Sequence, residues 1–167
     1  METPVNTVFK QQFDFTFGSV IVDTEDITDE EALVFPTGDA NCMNWIVGHI
    51  IDARNQLLTL LKEQPVWDNK KLHCYARGAK FKDVQELFLP FNQLIEYLKT
   101  SYDRLISGIK HVQPDQLAAI SNISLQGGAT ISHTLLEWLT VFSFHESYHC
   151  VQTGFLRKIL GKEGKIK

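Results

Sequence analysis

Val141-Phe-Ser-Phe-His-Glu-Ser-Tyr-His-Cys-Val-Gln152 lies in a long segment whose large apolar residues recur at helical spacing, and it sets His145 and His149 four residues apart. Trp138, Phe142, His145, His149, Gln152 and Leu156 follow one another at steps of four and three, so both histidines fall on the stripe a helix would bury. The spacing predicts a helix from about Thr130 to Leu160, with Arg157 and Lys158 suited to its last turn and Gly161 to a left-handed C-cap. Two imidazoles one helical turn apart can share a metal ion. The letters H-E-S-Y-H also spell the zinc-protease pattern, in which a glutamate, here Glu146, acts as general base.

Three further helices are predicted upstream. Val5, Phe9, Phe13, Phe17 and Val20 mark the first, to about Ile21, and Thr28-Asp-Glu-Glu31 has the form of a capping box opening one short turn that Pro36 ends. Gly38-Asp-Ala-Asn41 offers turn and N-cap chemistry for the second, which carries Ile46, Ile50, Ala53, Leu57, Leu60 and Leu61 to about Lys62. A polar stretch from Glu63 to Lys82 has no period, and a loop this long in a small domain is usually functional or mobile. Asp83 can cap the third helix, from Val84 to Ile109, in which Pro90 either kinks the helix or marks its first turn. Gly108 to Gly128 is a second irregular connection. No segment has the alternation of a strand, so the expected fold is all-α: one antiparallel four-helix-bundle domain over residues 1–167, with a long loop between helices 2 and 3. The two longer connections allow a non-sequential helix order.

Bulk properties narrow the function. The 167 residues, 44% hydrophobic and 22% charged, suffice for one compact core. A net charge of −4 with scattered Lys and Arg supplies no footprint for phosphate backbones, so no nucleic-acid partner is expected. Met1 to Phe17 lacks the uninterrupted apolar core of a secretory signal, and Leu135 to Phe144 is too short to span a bilayer. Cys42, Cys74 and Cys150 are odd in number and lack C-x-x-C spacing. Reduced thiols in a soluble, cytoplasmic protein are therefore the expectation, with no membrane association.

A lone histidine on an apolar stripe is usually a hydrogen-bonded core residue. A pair at i and i+4 brings the metal reading level with that one, and a metal then needs a third ligand. His133, on the same predicted helix, lies roughly 18 Å along it from His145 and cannot share an ion. His73 and His111 fall in predicted loops, which leaves His49 as the remaining histidine on a helix beside the bundle interior.

Asn44-Trp45-Ile-Val-Gly48-His49-Ile-Ile-Asp-Ala-Arg54 resembles the first metal-ligand segment of the DinB superfamily, and His145-Glu-Ser-Tyr-His149-Cys-Val-Gln152 with Leu156-Arg-Lys-Ile-Leu-Gly161 resembles the second. The likeness covers nearly the whole chain. It implies a four-helix bundle in which His49, His145 and His149 bind a divalent metal, usually zinc or nickel, with positions open to water or substrate. It also implies that a homodimer is common among such bundles. Family members include thiol S-transferases acting in detoxification, and others known only as stress-inducible or metal-binding proteins.

Three neutral ligands leave a divalent ion Lewis acidic, which suits hydrolysis of a small amide or ester, or transfer of a low-molecular-weight thiol to an electrophile. The leading expectation is thus a metal-dependent enzyme, transferase or hydrolase, acting on a small molecule. The alternative from another class is a non-catalytic dimeric bundle that binds a metal or ligand. A protease is disfavoured. Its extended motif needs a glycine three residues after the second histidine and a histidine three further on, where this chain has Gln152 and Phe155. Glu146, at the flank of the stripe, is a base for bound water, a group that orients a ligand from behind, or a solvated carboxylate paired with an Arg or Lys, the last reading being preferred. Gln152 is the better candidate for orienting a ligand from behind. Trp45 and Tyr148 are candidate pocket walls, and Cys150 points off the stripe.

Overall fold

The structure is a computed structural model and describes residues 3–36, 40–79, 85–124 and 128–165. Four long helices make the bundle: α1 (Pro4–Thr24), α3 (Met43–Leu60), α4 (Phe91–His111) and α6 (Leu135–Ile159). Short helices α2 (Asp29–Ala32) and α5 (Pro114–Leu117) lie in the connections, with 3₁₀ turns at His73–Tyr75 and Gln85–Leu87. No described helix is long and apolar enough to cross a membrane.

Cap chemistry sets several of these boundaries. Thr3 accepts from the Asn6 amide ahead of Pro4 at the start of α1, and Thr28 and Glu31 form the reciprocal capping box that opens α2. Thr134 and Glu137 form the same box at α6, and Gly161 takes φ +75° just past its end. Pro90 proves to be the N-cap residue of α4, so Leu87 and Phe88 belong to the 3₁₀ turn and the segment that follows it rather than to a kinked helix, and Val84 lies outside the described residues. The predicted cap at Asp83, and Gly38 and Asp39 of the predicted turn, lie outside the described residues. Cys42 occupies the N-cap position of α3 without a side-chain cap bond.

The expectation of no strand needs correction. Ile120–Ser124 (β1) and Thr130–Thr134 (β2) form an antiparallel hairpin in which Ile120 pairs with Thr134 and Ser124 with Thr130. The helix predicted from Thr130 begins only at Leu135. Its first five predicted residues are Thr, Ile, Ser, His and Thr, whose branched or hydroxylated side chains suit a pleated strand. Ile123 and Ile131, directly opposed in the register, turn the hairpin's apolar side toward the cluster around Trp138 and Leu139. His133 therefore sits on β2, with its ring 4.7 Å from that of Trp138.

The principal packing pairs are α1 with α6 and α4, and α3 with α4 and α6. Going round the bundle the order is α1, α4, α3, α6, so successive long helices α1 and α3 are diagonal, as are α4 and α6. The long connections permit this non-sequential order. In α3 nearly every side chain is buried, including Asn44, His49, Asp52, Arg54 and Asn55. Polar groups buried so deeply need assigned partners, and those partners build the site.

Candidate metal centre

His49 projects from α3, and His145 and His149 from adjacent turns of α6. Their rings meet edge to face, with centroids 5.0 Å (His49 to His145), 4.9 Å (His49 to His149) and 4.5 Å (His145 to His149) apart. One nitrogen from each ring lies within 4.8 Å of the others. The Nε2 atoms of His49 and His145 are 3.1 Å apart. Two nitrogens on one tetrahedral zinc, at Zn–N of ~2.0–2.1 Å, would be about 3.3 Å apart, so this donor set fits a divalent ion.

The rings are fixed from behind. His49 Nδ1 is 2.7 Å from the Tyr75 carbonyl oxygen, which can only accept, so Nδ1 carries the proton and Nε2 presents its lone pair to the cluster. His149 Nδ1 is likewise 2.7 Å from Gln152 Oε1 and donates to it. Burial pushes the pKa of His49 down to about 4 and that of His145 to about 3, with neighbouring imidazoles and Arg77 acting in the same direction on both. Burial also lowers His149, opposed by its bond to Gln152. The three rings are thus neutral near pH 7 and available as ligands.

The Asn44-Trp45-x-x-Gly48-His49 pattern acquires a physical account here. Trp45 stacks on His49, centroids 4.5 Å apart and planes inclined by 16°, and its Nε1 donates to the Cys74 carbonyl at 2.9 Å. Tyr75 lies flat against Gly48, where an added Cβ would stand 2.1 Å from Tyr75 Cδ1. Glycine is required because the loop's tyrosine must come this close to deliver its carbonyl to His49. Tyr75 Oη donates to Asn44 Oδ1 at 3.0 Å and accepts from the Leu89 amide at 2.8 Å, while Asn44 Nδ2 donates to the Leu89 carbonyl at 2.9 Å. The long loop is therefore pinned to α3 at the site.

Glu146 pairs with an arginine, as expected of a flank carboxylate, but it is buried rather than solvated. It is 2% exposed and takes two hydrogen bonds from Arg54, at 2.8 Å from Nε and 2.7 Å from Nη2, and a third from Thr16 Oγ1 at 2.6 Å. Arg54 also donates to the Leu98 carbonyl and Ser101 Oγ on α4, so this one ion pair ties all four long helices together. A wheel position cannot reveal a cation 92 residues away, although Arg54 closes the first motif and Glu146 follows the first histidine of the second.

Tyr148 stands at the edge of the cluster, its ring 5.2 Å from His149 and more than half exposed. Cys150 is buried off the stripe toward Ser19. His73 occupies a 3₁₀ turn rather than an unstructured loop, and His111 ends α4 with its Nδ1 2.7 Å from the Ser107 carbonyl. With His133 on β2, none of these joins the cluster.

The family model of the DinB superfamily matches residues 19–152, and the chain belongs to that superfamily. No curated protein matches the chain. Among solved structures, a conserved protein from Enterococcus faecalis is similar at 15% identity and TM-score 0.76, over 97% of this chain and 99% of that one. YfiT from Bacillus subtilis, described as a probable metal-dependent hydrolase with an unusual four-helix bundle topology, is similar at 14% identity and TM-score 0.66, over 95% and 89%. A mutant of the mycothiol-dependent maleylpyruvate isomerase is similar at 13% identity and TM-score 0.63, over 91% of this chain and 61% of that one. At these identities the likeness is one of fold.

Proposed function

We propose that His49, His145 and His149 hold a divalent metal ion, zinc or nickel, and that the protein is a metal-dependent enzyme acting on a small molecule. The observation that carries this reading is the convergence of three neutral imidazoles, two of them with the outer nitrogen engaged so that the inner lone pair faces a common point. A structural core histidine needs no such arrangement. Three neutral ligands leave a divalent ion Lewis acidic, lowering the pKa of water or a thiol brought to it.

The chain's own residues would bind and orient. Trp45 screens one side of the His49 ring, Gln152 and the Tyr75 carbonyl hold two ligands in one tautomer, and the exposed Tyr148 stands at the edge of the cluster where a substrate would enter. Glu146 is a positioning residue. Both its oxygens are engaged by Arg54 and one also by Thr16, which favours this reading over a peptidase with Glu146 as base.

The reaction is hydrolysis of a small ester or amide, or transfer of a low-molecular-weight thiol to an electrophile. Two fold neighbours, one described as a probable metal-dependent hydrolase and one as a mycothiol-dependent isomerase, support hydrolysis in the first case and use of a low-molecular-weight thiol in the second. The three cysteines are free and buried, which suits a cytoplasmic setting where thiols stay reduced. A homodimer is supported by an exposed apolar seam on α6 formed by Val141, Phe144, Tyr148, Val151 and Phe155 at steps of three and four.

Elemental analysis of protein purified without chelator tests the metal. Stoichiometric zinc or nickel is expected in the wild type and its loss in His49→Ala; wild-type protein without metal overturns the proposal. Zinc- and nickel-loaded protein should then turn over a model ester or conjugate a thiol to an electrophile, each activity disappearing with chelator. A metal-replete protein inactive toward both classes would favour the non-catalytic bundle.

A further inference from the structure

Beside the histidine cluster lies a cleft of about 1000 Å³ that the site described above does not use. One wall is α3, through Asp52 and Gln56. A second is the 3₁₀ turn and the loop on either side of it, through Asn69, Lys70, His73 and Arg77, and the third is β1. Asp52 follows His49 by three residues, less than one turn and about 4.5 Å along the helix. Arg77 lines the cleft and also acts electrostatically on His49 and His145. Cleft and metal centre therefore adjoin.

Asp52 is the anomaly. It is 3% exposed, its side chain bonds to Gln56, and its Oδ1 has no hydrogen-bond partner among the described residues. Burial without a cation pushes its carboxyl up to about 6, so near pH 7 the group is an ionised carboxylate lacking a counter-charge. Such a group is costly to keep unless something pairs with it. The rim has the opposite character: Lys70 and Arg77 are exposed, and the Arg77 guanidinium makes no ion pair or hydrogen bond among the described residues. A buried anion beneath a cationic rim is complementary to a molecule with an ammonium group at one end and an acid at the other.

We infer that this cleft binds a small zwitterionic ligand, with Asp52 receiving its ammonium group and Arg77 its carboxylate. Its role as a co-substrate rests on the metal-enzyme reading above, whereas its recognition by Asp52 and Arg77 does not.

Isothermal titration of the full chain, metal-stripped and zinc-loaded, with S-methylcysteinylglycine, its N-acetyl derivative and its C-terminal amide tests this. Methylation blocks the thiol, so binding cannot be credited to thiolate on the metal. The parent probe is expected to bind both forms. N-acetylation should weaken it at least about tenfold in the wild type and not in Asp52→Asn, and amidation should do so in the wild type and not in Arg77→Gln. Absence of heat with the parent probe at about 10 mM, a cleft holding only water, overturns the inference. So does an equal penalty for N-acetylation in wild type and Asp52→Asn. The comparison of probes on the wild type keeps the test decisive even if Asp52→Asn fails to fold. Zinc binding is read separately: protein that binds the probe but no zinc removes the metal reading and leaves this one, and the reverse result removes this one alone.

Discussion

Arg54 on α3 and Glu146 on α6 meet inside the bundle through two hydrogen bonds, Nε to Oε2 at 2.8 Å and Nη2 to Oε1 at 2.7 Å, with both side chains nearly closed to solvent. Glu146 is the neighbour of His145, and Arg54 stands five residues beyond His49. The pair fixes the rotation and register of α6 against α3, and with them the position of two candidate ligands relative to the third.

Glu146→Ala leaves the Arg54 charge buried and uncompensated, and should cost about 3–5 kcal/mol in urea unfolding. Replacing both partners by apolar residues of similar volume, Arg54→Met with Glu146→Leu, should recover most of that loss, because the desolvation penalty goes with the charges. A Glu146→Ala protein as stable as the wild type would show that the pair does not hold the helices.

Gln152 acts on His149 through the 2.7 Å bond to Nδ1. Gln152→Ala should lower zinc affinity by roughly 10–100-fold while leaving the stability of the metal-free protein little changed. Competition with a chromogenic chelator measures the first and thermal melting the second. Undiminished affinity would mean that another group orients the ring.

Much of this was legible in the sequence because helical periodicity records burial directly. Phe9, Phe13 and Val20 on α1, and Trp138, Phe142 and Leu156 on α6, are buried where their spacing places them. The histidine pair could be found because i and i+4 is a local relation. What escaped was non-local or ambiguous in period. Thr130–Thr134 is short, and its one large apolar residue, Ile131, falls four before Leu135, so it extends a helical pattern as readily as it forms a strand. Glu146 lies at the flank of its wheel, and its burial depends on Arg54 and Thr16, which no local pattern links to it. Tyr75 sits in a loop without a period, so its support of His49 has no signal beyond Gly48, the residue that makes room for it.

The exposed seam of α6 yields a prediction about assembly. Phe144 and Val151, each 73% exposed, form a ridge beside a groove of about 630 Å³ between α1 and α6, lined by Phe15, Thr16, Ser143 and Ser147 among others. Ridge and groove on one face are self-complementary under a twofold axis. Sedimentation of the wild type should report a dimer, and Val151→Glu a monomer with unchanged helical content. A monomeric wild type at micromolar concentration would remove this interface.

The histidine cluster predicts how the metal-free protein responds to acid. His49 and His145 have folded pKa values of about 4 and about 3, below the ordinary 6.5. Above pH 6.5 they are neutral in both folded and unfolded chains and add no slope. As pH falls from about 6.5 toward about 4, the unfolded chain takes up protons that the folded one refuses, so stability declines by about 1.4 kcal/mol per pH unit for each histidine. Asp52 works the other way, since its folded pKa of about 6 lies above the ordinary 3.8, and the folded state gains from binding its proton below pH 6. One of these two contributions is thus offset, and the other remains together with that of His149, which burial also lowers. His49→Gln should therefore flatten the decline between pH 6 and pH 4 by about 1.4 kcal/mol per unit, and Asp52→Asn should steepen it by a similar amount. Urea titrations of the metal-free proteins across this range supply the comparison, and parallel curves for wild type and His49→Gln would contradict the burial of that ring. Zinc should raise stability at neutral pH and make the acid loss steeper, because protons then displace the ion as well as enter the cluster.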